Sequence, residues 1–170
     1  LEAFGWNIEN ADLTGILAET AGALSGLRMI PGFVRAIEPA ADGVCLSGEG
    51  FAPLTARLVV GADGRNSQVR AAAGIESRDW RYPQVALTAI FEHARDHRET
   101  STEFHTRKGP CTIVPLPGRR SSLVWLVDPE EAPALIALDD AAFALRVERQ
   151  VQSLLGAMTV SGPRGKVPMF

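Results

Sequence analysis

Cysteine is nearly absent: Cys45 and Cys111 are the two that the chain holds. Two thiols build no disulfide framework, so both read as free, buried thiols. No apolar run approaches the ~20 residues that a membrane span needs, and these residues carry no signal-peptide pattern. A basic excess is missing too. Lys and Arg number 17 against 20 Asp and Glu, for a net charge of -3, so no nucleic-acid partner is expected. The three histidines join no Ser, Cys or carboxylate in a pattern suited to nucleophilic or acid–base work. His93 and His97 stand i, i+4, a spacing that holds a metal only on a helix with further ligands. No third ligand is obvious and the stretch lies between strands, so it reads as a surface turn and no metal is expected. What remains is ordinary globular composition, 46% hydrophobic and 22% charged over 170 residues. That length supports one substantial core, burying about 70% of the unfolded surface.

The most informative stretch is Arg57 to Gly74. Leu58-Val59-Val60 is β-branched and apolar, the pattern of a short buried strand. Gly61, Asp63 and Gly64 then break it, letting the backbone turn and a bulky group approach. Ser67 is a good N-cap, Gln68 to Ala73 favours helix, and Gly74 suits the position after its end. A strand, a glycine-bearing turn and a short helix follow. Such a turn is expected to present free N–H groups to an anion such as a pyrophosphate. Arg70, further along the helix, is expected to pair with Asp63 and fix the turn.

The spelling VGADGRNSQVR resembles the Asp-Gly motif of the class A flavoprotein monooxygenases, the para-hydroxybenzoate hydroxylase family. Gly61, Asp63, Gly64, Ser67, Val69 and Arg70 carry the likeness. It implies contact with FAD and with NAD(P)H, and assigns Gly61, Asp63, Gly64, Ser67 and Arg70 to cofactor binding. The helix spelling IENADLTGILAE and the later GPCTIVPLPGRRSSLVWLV are also similar to that family. The second resembles its ubiquinone-biosynthesis branch, including the 2-octaprenyl-6-methoxyphenol hydroxylases. The GxGxxG turn and the Gly-Asp-Ala-Ala-His stretch of the family are missing from these residues. The chain therefore reads as an internal fragment, expected to bind no flavin alone.

Along the chain, Phe4 to Ile8 reads as a short strand. Asn10 is placed to cap a helix over Ala11 to Leu24, with Leu13, Ile16, Leu17 and Leu24 on one face. A strand at Leu27 to Ile30 and a β-meander through Phe33–Glu38, Val44–Leu46 and Phe51–Thr55 lead into the central unit, with turns at Ala41–Gly43 and Gly48–Gly50. Strands follow at Gln84–Phe91, with Val85, Leu87, Ala89 and Phe91 on one face, then at Ser101–Thr106, Cys111–Pro115 and Ser121–Val127. Asp139 or Asp140 caps a last helix whose stripe is Phe143, Val147, Val151, Leu154 and Leu155, with Arg146 and Arg149 solvated. Val160 to Phe170 leads, by the resemblance, back to the cofactor domain.

The expected fold is α+β: a mixed, mostly antiparallel sheet walling a substrate site and packed by helices, plus a strand–turn–helix piece of an FAD-binding domain. Residues 1–74 are read as the partial FAD/NAD(P) region and 75–170 as the substrate sheet with its covering helix. The resemblance implies hydroxylation of a phenol, prenylated in the ubiquinone branch, by NAD(P)H and O2 through a flavin C4a-hydroperoxide. It places Ile113, Pro115 and Trp125 on the substrate wall, although the residues alone read Ile113 and Trp125 as sheet core. No residue is given a catalytic role, since the flavin carries the chemistry. The family also implies a cytoplasmic protein, with peripheral contact at the inner membrane left open. Two alternatives stand beside this: a related flavoprotein with another aromatic or isoprenoid substrate, and a binding module without catalysis.

Overall fold

Alternation of polar and apolar residues makes strands only where a neighbouring strand completes the hydrogen bonds. The computed structural model describes residues 5–169, and its described residues fall into two compact units. One is Thr14–Asp79. The other joins the residues up to Leu13 to those from Trp80 onward. The sequence reading divides the chain at residue 74, whereas these contact units meet at Asp79 and group the first residues with the later part.

The expected strand at Phe4 begins outside the described residues, and residues 5–9 have no regular structure. Helix α1 spans Asn10–Ala23, so Asn10 is its first residue and not its cap. None of its residues is buried, and Ile16 and Leu17 are more than half exposed. Helical spacing collects an apolar face; only a second layer buries it. Leu27 to Ile30 likewise forms no strand.

In the smaller unit the meander is as expected. Strands β1 (Phe33–Ala40), β2 (Gly43–Glu49) and β3 (Leu54–Ala56) pair antiparallel in that order. Gly48 and Glu49 belong to β2, so the second turn comes later than read, from Gly50. The central strand, however, does not form. Leu58 to Val60 pairs with no described strand, and Leu58 and Val60 are each 77% exposed. A β-branched run without a partner edge stays irregular. Helix α2 (Gln68–Ala72) follows, with Ser67 at its N-cap and Gly74, at φ 65°, just past its C-cap Ala73.

The larger unit contains β4 (Val85–His93), β5 (Thr102–Thr106), β6 (Gly109–Leu116), β7 (Arg120–Val127), α3 (Ala132–Ile136), α4 (Asp140–Gln150), β8 (Met158–Val160) and β9 (Gly165–Pro168). The sheet runs β5-β6-β7-β4-β8, with β9 also on β4, and every pairing is antiparallel. The last segment thus stays in this sheet through β8 and β9. One sheet face is covered. Val85, Leu87, Ala89 and Phe91 of β4, Cys111 and Ile113 of β6, and Leu123, Trp125 and Val127 of β7 join Phe143, Ala144, Val147, Val151 and Leu155 in one core. The Phe91 and Phe143 rings stack at 6.0 Å. Asp139 caps α4 by accepting from the Ala142 N–H at 2.7 Å.

Two details of the last helix and one of β4 differ from the reading. α4 ends before Val151, the chain then turns, and Leu154 swings out to 44% exposure. Arg146 is not simply solvated: its guanidinium lies 5.2 Å from the centre of the Trp125 ring, a cation–π contact. His93 is not in a surface turn. It ends β4 at 6% exposure, with Nδ1 2.7 Å from the Arg95 carbonyl and Nε2 3.0 Å from the Ser121 hydroxyl. His97 sits edge-on to it at 5.5 Å, with Nε2 against the Leu116 carbonyl and Nδ1 accepting from the Glu99 N–H. The pair closes the β4–β5 corner. Among the described residues no group of three or more His, Cys, Asp or Glu is placed to hold a metal.

Both thiols are free; burial pushes the Cys111 thiol up to about 12, which keeps it protonated and inert. Gly109 opens β6 at φ 133°, a region that L side chains avoid, and a Cβ there would stand 2.8 Å from the Leu126 Cβ. Gly109→Ala is therefore expected to cost about 1–3 kcal/mol. A shift of the urea midpoint with unchanged slope would show it; an unshifted midpoint would count against this geometry.

Candidate functional site

Two places carry chemistry, one in each unit. In the smaller unit the bend Gly61 to Asn66 is exposed throughout. Gly64 has φ 81° and a Cβ added there would meet nothing within 4 Å. An open main-chain surface is thus present. Gly61 differs: its Cβ would press on Val69 at 2.9 Å, so it is a packing position under α2.

Asp63 turns inward on the helix that follows. Its carboxylate accepts from the Ser67 hydroxyl at 2.5 Å, from the Gln68 N–H at 2.6 Å and from the Val69 N–H at 3.3 Å. The Ser67 hydroxyl in turn accepts from the Arg70 N–H at 3.0 Å. The expected Asp63–Arg70 ion pair does not form. Arg70 Nη2 donates instead to the Arg65 carbonyl at 2.8 Å. The reason is economy of donors: three nearby N–H and O–H groups reach Asp63 without ordering a long side chain. The start of α2 is thereby closed to an anion. The Gln68, Val69 and Arg70 N–H groups are already taken, so a pyrophosphate finds no free donor on them.

The Ser67 hydroxyl first, then the backbone N–H groups, hold the Asp63 carboxyl below its ordinary 3.8. A lowered carboxylate contributes above its unfolded value and stops contributing as pH falls through its folded one. Amide protection in α2 is therefore expected to persist from neutrality down to about pH 4 and to fade below it. Asp63→Ala is expected to remove that protection at every pH, read by exchange at Ala71 and Ala73. Unchanged exchange in the variant would show that the cap is idle.

In the larger unit the second sheet face carries a cleft of about 450 Å³. Ile90, Val114, Leu116 and Ser122 form its floor, and Trp6 to Ala11 form its rim. Side chains alternate along a strand, so Val114 and Ser122, which are paired partners on β6 and β7, face opposite to Ile113 and Leu123. Ile113 and Trp125 lie in the covered core at 1% and 4% exposure. Pro115 shares their face, half-buried and opposite Ser121. Past the last β5 partner, Ile113, β6 is an edge on that side, where a strand tolerates proline. None of the three expected wall residues therefore lines this cleft. The residues that do were missed, although Val114 and Ser122 were legible one step away in each strand.

The family model described as FAD binding domain matches residues 43–163. The chain belongs to that FAD-binding-domain family. Ubiquinone hydroxylase UbiL of Rhodospirillum rubrum is 38% identical over 161 residues, 94% of this chain and 38% of the relative. The 3-demethoxyubiquinol 3-hydroxylase of Escherichia coli is 30% identical over 160 residues, 94% of this chain and 41% of the relative. This FAD-binding-domain chain thus spans about two fifths of the length of these curated relatives. Among solved structures, the myxobacterial chondrochloren halogenase CndH superposes with a TM-score of 0.74 at 20% identity, covering 98% of this chain and 42% of that one. At that identity the likeness speaks to the α+β fold alone.

The bend fits an FAD only in part. Open backbone at Gly64 suits a sugar or ring edge lying against main chain, while the N–H groups of Gln68, Val69 and Arg70 are occupied.

Proposed function

We propose that this chain supplies the substrate sheet and part of the cofactor contact of an FAD-dependent hydroxylase acting on a phenol, prenylated as in ubiquinone biosynthesis, with NAD(P)H and O2 as co-substrates. The observation that carries the reading is the alignment with a ubiquinone hydroxylase along 94% of the chain. The uncovered sheet face with its cleft supports it.

When bound, FAD supplies the redox chemistry that activates oxygen. The chain's own residues bind and orient. Ile90, Val114 and Leu116 offer a flat apolar floor for a ring, and the Ser122 hydroxyl is the polar group on that floor for a phenol oxygen. Gly64 is the cofactor-facing residue of the bend. Asp63 and Ser67 position it by capping α2, Gly61 packs beneath, and Arg70 ties the helix to the Arg65 carbonyl.

No helix among the described residues is long and apolar enough to cross a membrane. Trp6 and Ile8 on the cleft rim are 88% and 57% exposed. They support peripheral contact with a membrane that holds a prenylated substrate, and a cytoplasmic location accords with that. The decisive experiment places this chain within a polypeptide of its relatives' length. NADH or NADPH oxidation coupled to appearance of a hydroxylated prenylphenol is expected. Oxidation without any hydroxylated product, across prenylated and plain phenols, would overturn the reading.

A further inference from the structure

We propose that Glu9 and Arg120 are positioning residues, a charged strap that holds the Trp6 to Ala11 rim over the cleft and thereby sets the cleft's width. The proposal rests on reading the cleft as the phenol site. Arg120 Nη1 donates to Glu9 Oε1 at 3.1 Å, joining residues 111 positions apart. Their side chains are only 34% and 28% exposed, so water screens this pair less than the surface pairs Arg35–Glu49 and His105–Glu103.

Its placement is what matters. Glu9 lines the cleft, and Arg120 starts β7 directly opposite Leu116, which is also part of the floor. The strap therefore joins one wall to the other. Residues 5–9 have no regular structure and Trp6 and Ile8 lie largely in solvent. Glu9 also accepts the first α1 hydrogen bond, from the Leu13 N–H at 3.0 Å, so displacing Glu9 disturbs the entry of that helix. On β4, Glu92 stands beside Arg120 in register, but its carboxylate is engaged by the Ser161 hydroxyl at 3.2 Å.

The test uses the 170-residue chain, Glu9→Gln, Arg120→Gln and the double variant, with 2-methoxyphenol as probe. Backbone relaxation of amides 6–11 reads the strap without any ligand. Order parameters are expected to fall from about 0.85 to below about 0.6 in each single variant. The double variant is expected to be no looser than either single one, because one interaction is lost once. Probe affinity is expected to fall about tenfold in each, and Arg120→Lys, which keeps the charge, is expected to recover most of it. Rigid 6–11 amides in both single variants would overturn the strap. Looser amides with unchanged probe affinity would overturn its positioning role. Looser amides in a chain whose unaltered form binds no probe would leave the strap standing and instead sink the phenol reading.

Discussion

Ile113→Ala is expected to destabilise the chain by about 2–5 kcal/mol. Ile113 is 1% exposed and packed in one cluster with Leu123, Phe143 and Val147. Truncation removes buried methyl groups and leaves a cavity between a sheet and a helix, neither of which can close it freely. Urea unfolding should show a lowered midpoint, and probe binding by the folded fraction should keep its affinity. A loss of affinity with unchanged stability would return Ile113 to the ligand wall and overturn the assignment of faces.

The neighbouring residue is expected to behave in the opposite way. Val114→Trp points a large ring into the 450 Å³ cleft from its floor. Affinity for 2-methoxyphenol is expected to fall at least about tenfold, since the added ring occupies the ligand's volume. Stability should change by no more than about 1 kcal/mol, because Val114 is only half-buried and tryptophan suits a strand. Isothermal titration alongside urea unfolding separates the two effects. Retained affinity would show that no ligand uses this face. One step along β6 thus exchanges a stability phenotype for a binding phenotype.

That step is also where the resemblance misplaced residues: it implied a substrate wall of Ile113 and Trp125, which the residues alone read as sheet core and which the structure buries. Alternation in Cys111 to Pro115 and Ser121 to Val127 marked two strands correctly and split each into two faces. Both faces of β7 carry apolar side chains, however, with Leu123, Trp125 and Val127 on one and Val124 and Leu126 on the other. Hydropathy does not say which set a helix will cover. The docking of Phe143 and Val147 decides it, and it covers Ile113 and Trp125. Leu58 to Val60 failed for a related reason. The run has strand character, but strand character is fulfilled only by a partner edge, and among the described residues it finds none.

Asp63 shows the limit in electrostatics. Spacing put Arg70 within reach, and opposite charges suggested a pair. The Gln68 and Val69 N–H groups, together with the Ser67 hydroxyl, were nearer and already ordered by the turn. Local donors won over a flexible guanidinium, and the same capture occupies the first N–H groups of α2.

By itself the sequence determined the period-2 strands of the meander and the larger sheet, the Ser67 cap, a cap at Asp139 or Asp140, the glycine-bearing bend and the family to which they belong, because each is set by neighbours a few residues away. Tertiary structure alone decided that Val114 and Ser122 floor a cleft beneath Trp6 to Ala11 and that Glu9 meets Arg120. Those outcomes depend on groups far apart in the chain competing for the same space or the same hydrogen bond, and only the folded arrangement ranks them.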